Sequence, residues 1–345
     1  MTGFGTVVGA IERGLHAAVD RIDELQRRST ITAFPVGVLR RFLDDRGGQL
    51  GALIAYYGLL SVFPLMVVML TILGFVLDGR PELRDDIERS ALAQFPAIGA
   101  TIRENTEAIR GDIVSLLAGL TGAVWAGLAA VNATQMALNT VFDVPRFQRP
   151  NPIERRLRAL RMLIVLGAGL LASALVANSG QFIGDLGWLR TVWLAIGSIS
   201  INCAVYAIAF RSLVDAEPSW SEVLPGAALA GTVWWALTVV GGLYVERTLE
   251  GASDTYGALA GVIALLAWIY LQAQVTILSA EVNVVLRSGL WPRSLSGRNL
   301  TPCDRAAMEL HLETERLHET MSVDVVFAPE DDRDRANRSA DAPRL

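Results

Sequence analysis

Lysine is absent from this 345-residue chain; all 30 basic residues are arginine, which reads as the coding bias of a GC-rich genome rather than as chemistry. Cysteine is nearly absent too. Cys203 lies in an apolar run and Cys303 near the C-terminal end, so a disulfide framework and any zinc-type cysteine spacing are excluded. Of the three histidines, His16, His311 and His318, the last two are seven apart and share a helix face, but no thiol partners accompany them and no metal is expected. A net charge of −5 argues against a nucleic-acid-binding surface. The most telling absence is regional. Residues 47–77, 113–142, 162–184, 191–210, 223–245 and 255–280 contain no Asp, Glu, Lys or Arg.

Each of these six runs is long enough to cross a bilayer. At about 1.5 Å per helical residue, about 20 apolar residues span the roughly 30 Å hydrocarbon layer. Overall, 52% hydrophobic residues and a mean hydropathy of +0.39 exceed what a soluble domain carries. No internal repeat and no alternation of the kind a membrane barrel requires is present. The expected fold is therefore all-α and polytopic: six transmembrane helices, preceded by an amphipathic helix and carrying a periplasmic helical hairpin. Residues 7–25 are interrupted by Glu12, Arg13, Asp20, Arg21, Asp23 and Glu24, which is not the pattern of a cleaved signal. The first membrane helix is expected to direct insertion.

Arginine placement gives an orientation. The two termini and the second and fourth connections hold 23 arginines against 7 on the other side, so both termini are expected in the cytoplasm. Three regions follow: cytoplasmic amphipathic and interfacial helices over 1–46, a membrane bundle over 47–290 and a partly disordered polar tail over 291–345. Within the first, Val8, Ile11, Leu15, Ala18, Ile22 and Leu25 form an apolar stripe that needs bundle, membrane or a second copy to cover it. Residues 34–42 read as an interfacial elbow whose Arg40 and Arg41 face lipid phosphates. The outer connection 78–112 is helical by periodicity and acidic, divided at Pro96; it rests on the bundle or gates it. Residues 301–321 suit a polar helix, and 331–345 read as a disordered tail.

Polar groups inside the apolar runs mark the candidate site. Span one carries Tyr57, Ser61, Pro64 and Thr71 at helical spacing, and Pro64 removes one backbone donor, predicting a kink. Span two presents Trp125, Asn132, Gln135 and Asn139 on one face. These amides either join helices or line a wet cavity. Span six has Gln272, Thr276, Ser279 and Asn283 on one face and Gln274 with Glu281 nearly opposite, which requires a central position. Glu281 is a functional candidate because an intramembrane carboxylate is costly. It either pairs with an arginine of the 146–161 connection, such as Arg158 or Arg161, or takes a proton- or cation-coupled role. Small residues at four-residue spacing in spans three to five, such as Gly169, Ser173 and Ala177, permit close helix approach.

Several motifs point further: Ala55-Tyr56-Tyr57-Gly58-Leu59-Leu60-Ser61-Val62-Phe63-Pro64, Ala137-Leu138-Asn139, Trp234 and Tyr244, Tyr256-Gly257-Ala258-Leu259, Trp268-Ile269-Tyr270 and Ala280-Glu281-Val282-Asn283. Over residues 34–290 the chain resembles the YihY/YhjD/BrkB family of bacterial inner-membrane proteins, formerly labelled ribonuclease BN-like; Ser279 stands where that family often has glycine. The resemblance implies a six-helix inner-membrane bundle tied to envelope integrity or serum resistance, with a transport role. The old label implies RNA cleavage, but a hydrolytic nuclease needs clustered carboxylates or histidines, and the three histidines form no such cluster. No enzyme activity and no cofactor are expected. The leading expectation is a transporter or lipid-handling protein acting on an amphipathic, envelope-related molecule. Its cavity would be lined by Tyr57, Ser61, Pro64, Asn132, Gln135, Asn139, Gln272, Glu281 and Asn283. The alternative is a non-transporting scaffold for envelope machinery. Membrane lipids are the expected partners, nucleic acid is not, and a homo-oligomer stays open because an apolar helix surface suits lipid and a second subunit equally.

Overall fold

The computed structural model describes residues 21, 23–24, 26–76, 113–179, 187–256, 258–295 and 300–327. The apolar stripe within 8–25, the outer hairpin 78–112 and the tail 331–345 lie outside the described residues. Within them are eight α-helices, a short 3-10 turn at Arg146–Gln148 and no strand. The helices are α1 Thr30–Asp44, α2 Gly47–Val76, α3 Ile113–Val141, α4 Pro152–Ser179, α5 Trp188–Leu213, α6 Trp220–Tyr256, α7 Ala258–Ser288 and α8 Pro302–Thr314.

Local chemistry sets several of these starts. Asn151 Oδ1 accepts the backbone N–H groups of Ile153 and Glu154 at 3.1 and 3.0 Å, and Pro152 then opens α4 without wasting a donor. Glu222 reaches back to accept the Ser219 backbone N–H at 2.7 Å ahead of α6. A full capping box between Thr301 and Asp304 opens α8. Four helices are long and apolar enough to cross a membrane, over Leu117–Val141, Trp188–Leu213, Trp220–Gly241 and Val262–Ser288.

The expected elbow at 34–42 is not a break in the chain. Pro35 sits inside α1, which runs unbroken to Asp44, and Phe34 packs edge-on against Trp291 with ring centroids 5.5 Å apart. Pro64 likewise lies inside a continuous α2, where it faces Gly122 of α3. The long helices close into a ring: α2 packs on α3, α3 on α4, α4 on α5, α5 on α6, α6 on α7 and α7 back on α2. In addition α7 touches α1 and α3, the central position its two polar faces require.

Because consecutive helices alternate in direction, one end of the bundle gathers the start of α2, the end of α3, the start of α4, the end of α5, the start of α6 and the end of α7. The buried core lies toward that end, with Leu138, Val141 and Phe142 packed with Phe210, Leu213, Val223, Ile277 and Val284. Close approach of α6 depends on glycine. A Cβ on Gly226 would collide with the Ser279 carbonyl of α7, and one on Gly231 would sit 2.5 Å from the Cys203 backbone nitrogen of α5.

Gly226→Ala is therefore expected to destabilise the protein by about 1–3 kcal/mol through overpacking against backbone, read as a lower thermal midpoint in detergent. Gly167→Ala is the comparison, since a Cβ there meets nothing within 4 Å and should leave the midpoint unchanged or raised.

Candidate functional site

The gathered helix ends place one buried cation among three carboxylates. Arg41, 5% exposed on α1, holds its Nε 3.0 Å from Oε2 of Glu281 and 3.8 Å from Oδ2 of Asp45. Its terminal nitrogen forms an ion pair with Asp143 and donates to the Val141 carbonyl at 3.0 Å, closing the end of α3. Glu281 on α7 is fully buried, and neither carboxylate oxygen has an aligned hydrogen-bond donor; Asp45 Oδ2 is in the same position. On the outer side His311 of α8 brings Nδ1 to 3.6 Å from the other Asp45 oxygen, Oδ1. We refer to these five residues as the hub.

Each titratable shift outside the spans has a physical cause. Burial works to lower the Arg41 pKa, but the Asp143, Glu281 and Asp45 charges outweigh it and hold the guanidinium above its ordinary value. Burial pushes Asp143 up against the opposing pull of Arg41. The Asp45 carboxylate raises His311, with burial opposing.

Two further polar clusters sit at the same end. Asp215, after α5, accepts from Asn139 Nδ2 at 2.7 Å, Gln135 Nε2 at 3.3 Å and Arg158 at 2.8 Å, while Asn139 Oδ1 accepts the Asp215 backbone N–H at 2.9 Å. This knot joins α3, α4 and the α5–α6 turn. Arg293 bridges Asp44 and Asp304, each at 2.7 Å. Burial alone would raise Asp304, but donors from Arg293, Thr301 and Ser294 hold it below its usual value. Asp23 accepts from Gln26 at 3.0 Å and the Leu295 backbone at 3.0 Å, tying the pre-α1 segment to the chain after α7.

The expected site residues divide among these clusters rather than lining one wall. Glu281 pairs with Arg41 and not with an arginine of the 146–161 connection; of the two expected there, Arg158 and Arg161, the first belongs to Asp215. The reason is connectivity: α1 packs on α7, whereas the start of α4 meets the end of α5. Arg41 accordingly faces carboxylates and not lipid phosphates. Asn283 accepts the Gly226 backbone N–H at 2.6 Å, binding α6 to α7. Ser61 donates to the Gly58 carbonyl of its own helix at 2.7 Å, and Tyr57 stacks edge-on with Tyr56. Gln272 is buried with its Oε1 unpartnered, as is Oδ1 of half-buried Asn132. Trp125 is 69% exposed and lines an open apolar groove of about 440 Å³ with Leu120, Thr121, Val124 and Leu128.

Sequence reasoning missed Arg41, Asp45, Asp143 and Asp215 as members of the site. A signal exists. Asp143 directly follows one uncharged run and Asp45 lies two residues before another, both at the arginine-rich end, where a carboxylate is out of keeping with its surroundings.

The sequence profile described as Virulence factor BrkB matches residues 38–295, which includes Arg41, Asp45, Asp143, Asp215 and Glu281. The chain belongs to the BrkB family. This BrkB-family chain is 29% identical over 259 residues to the ribonuclease-like protein YfkH of Bacillus subtilis, covering 71% of this chain and 92% of that one. It is 27% identical to a UPF0761 membrane protein of Halorhodospira halophila, covering 83% of this chain and 65% of the relative, so it spans less than two thirds of that longer protein. With the inner membrane protein YhjD of Escherichia coli it shares 24% identity over 78% of this chain and 85% of the other. No solved structure matches. The BrkB-family chain is a membrane protein, as its four apolar helices and its relatives agree.

Two outcomes follow from the hub. Removing its cation leaves buried carboxylates facing one another, so Arg41→Gln is expected to cost about 3–5 kcal/mol, seen as a large drop in thermal midpoint. His311 acts in the opposite pH sense to an ordinary acid: the Asp45 carboxylate holds its folded pKa above the ordinary imidazole value of about 6.5. Its contribution is complete below that value and fades as pH rises through the raised one. Thermal midpoints of the natural protein should therefore contain a decline across that interval which His311→Gln lacks.

Proposed function

We propose that this protein moves or handles an amphipathic, envelope-related molecule in the bacterial cytoplasmic membrane, crossing it six times with both termini inside, and that the hub is the part of the machine that changes state. The observation carrying this reading is Glu281: a carboxylate with no solvent exposure, inside an apolar helix, paired in charge with Arg41 but with no aligned hydrogen-bond donor on either oxygen. Stability alone would favour an apolar side chain there, because burying a charge costs more than an imperfect pair returns. Partly unsatisfied Gln272 and Asn132 add polar capacity in neighbouring parts of the bundle. The apolar groove at Trp125 gives acyl chains a place to lie along α3.

The second reading is a scaffold that organises envelope machinery without transporting. It is favoured by the Asp215 knot and the Asn283–Gly226 bond, in which polar groups serve one another. The two readings part on mutation. The scaffold tolerates Glu281→Gln and Asn132→Ala and fails on deletion of 8–25; the handling role fails on Glu281→Gln.

The direct test uses purified protein in phosphatidylglycerol-containing vesicles bearing a fluorescent phosphatidylglycerol, with dithionite added outside. The natural protein is expected to expose inner-leaflet probe to the reagent, and Glu281→Gln, verified as folded by gel filtration, to protect it as empty vesicles do. Equal protection in natural-protein and empty vesicles would overturn the lipid-handling form of the proposal.

A further inference from the structure

The charges of the hub do not balance. Asp45 from the end of α1, Asp143 from the end of α3 and Glu281 from α7 surround the single guanidinium of Arg41, with His311 of α8 at the margin. Asp143 is satisfied by its direct ion pair with Arg41. Glu281 Oε2 and Asp45 Oδ2 share only the Nε of that same guanidinium, at 3.0 and 3.8 Å and without an aligned hydrogen bond. Both carboxyl groups thus converge on one guanidinium nitrogen, and Glu281 Oε1, Glu281 Oε2 and Asp45 Oδ2 are all buried acceptors without an aligned donor. Two ionised carboxylates side by side in a low-dielectric interior repel strongly, and one proton removes the repulsion while creating the missing donor.

We propose that Asp45 and Glu281 bind one proton between them as an O–H···O pair, and that His311 is the group through which this proton exchanges with solvent. The occupant is a proton and not a metal ion because Arg41 Nε already stands 3.0 Å from Glu281 Oε2, where a second cation would meet a fixed positive charge. The route follows from the two oxygens of Asp45. Oδ2 faces Arg41 and Oδ1 faces His311, whose side chain is 50% exposed while that of Asp45 is 4% exposed. Solvent protonates the imidazole at Nε2; the Nδ1 proton passes to Asp45 Oδ1, the ring returns to neutral, and the carboxyl turns about its Cβ–Cγ bond to bring that proton to the side facing Glu281, where the pair shares it. No electron moves and no other reactant is needed. The inference stands whether or not a substrate is moved, since it concerns only what the hub holds.

Infrared spectroscopy of the full-length protein in lipid tests this. Protein made with carboxyl-labelled glutamate, or separately with carboxyl-labelled aspartate, is expected at neutral pH to show a protonated-carboxyl C=O band displaced by at least one of the labels. That band should vanish in Glu281→Gln and in Asp45→Asn and persist in His311→Gln. In the last variant its shift on transfer to D2O should be several-fold slower than in the natural protein. Absence of any protonated-carboxyl band at neutral pH, or a band that survives either Glu281→Gln or Asp45→Asn, would overturn the shared proton. A band whose exchange is as fast in His311→Gln as in the natural protein would overturn the role of His311.

Discussion

The interaction on which the rest of this architecture depends is the guanidinium of Arg41 held among carboxylates at one end of the bundle. A buried cation must be compensated by charge and by hydrogen bonds, and here both come from other segments: Asp143 and the Val141 carbonyl from the end of α3, Glu281 from α7, Asp45 from the turn into α2. One side chain on a helix outside the ring thus pins the ends of two ring helices. An arginine suits this position because its charge is permanent and its donors fan out in a plane.

The up-and-down order of the helices makes such a hub possible. Every second helix end comes to the same level, so polar groups distant in sequence meet where backbone caps and loop carboxylates are also available. The Asp215 knot and the Arg293 bridge repeat the principle: each joins helix ends or flanking segments, and each lies at the hub's end. Along the rest of the helices the surface is apolar, with Trp125, Ile164, Trp193, Val240 and Ile263 all largely exposed. In lipid that exposure is favourable, and packing between helices rests instead on small residues such as Gly226 and Gly231.

How much was legible varies by residue. The uncharged runs announced the long helices, and the two polar faces of α7 announced its central place. Gln274 reaches toward the Gly48 carbonyl of α2 at 3.5 Å, while Thr276 bonds Tyr206 of α5 at 3.2 Å, so opposite faces do meet different neighbours. Glu281 stood out because a carboxylate in an apolar run has no local partner. The identity of that partner was not readable: Arg41 sits in a segment whose mixed aromatic and basic composition equally suits a headgroup layer. Asp215 was missed because an acid in a short turn looks solvated until the amides of α3 are brought against it.

The sequence by itself marked the apolar cores of the long helices and where apolar surface prevails, because those properties follow from residue spacing and from the cost of burying charge; the unbroken helix through Pro35 and the full helix lengths were not in it. It also marked Glu281 as anomalous. Only the tertiary structure decided that Arg41, and not Arg158, answers that charge, and that Asp45 and Asp143 share the cation with it. Pairing across separate helices depends on which ends the ring closure brings together, and that geometry is a property of the packed whole rather than of any one segment.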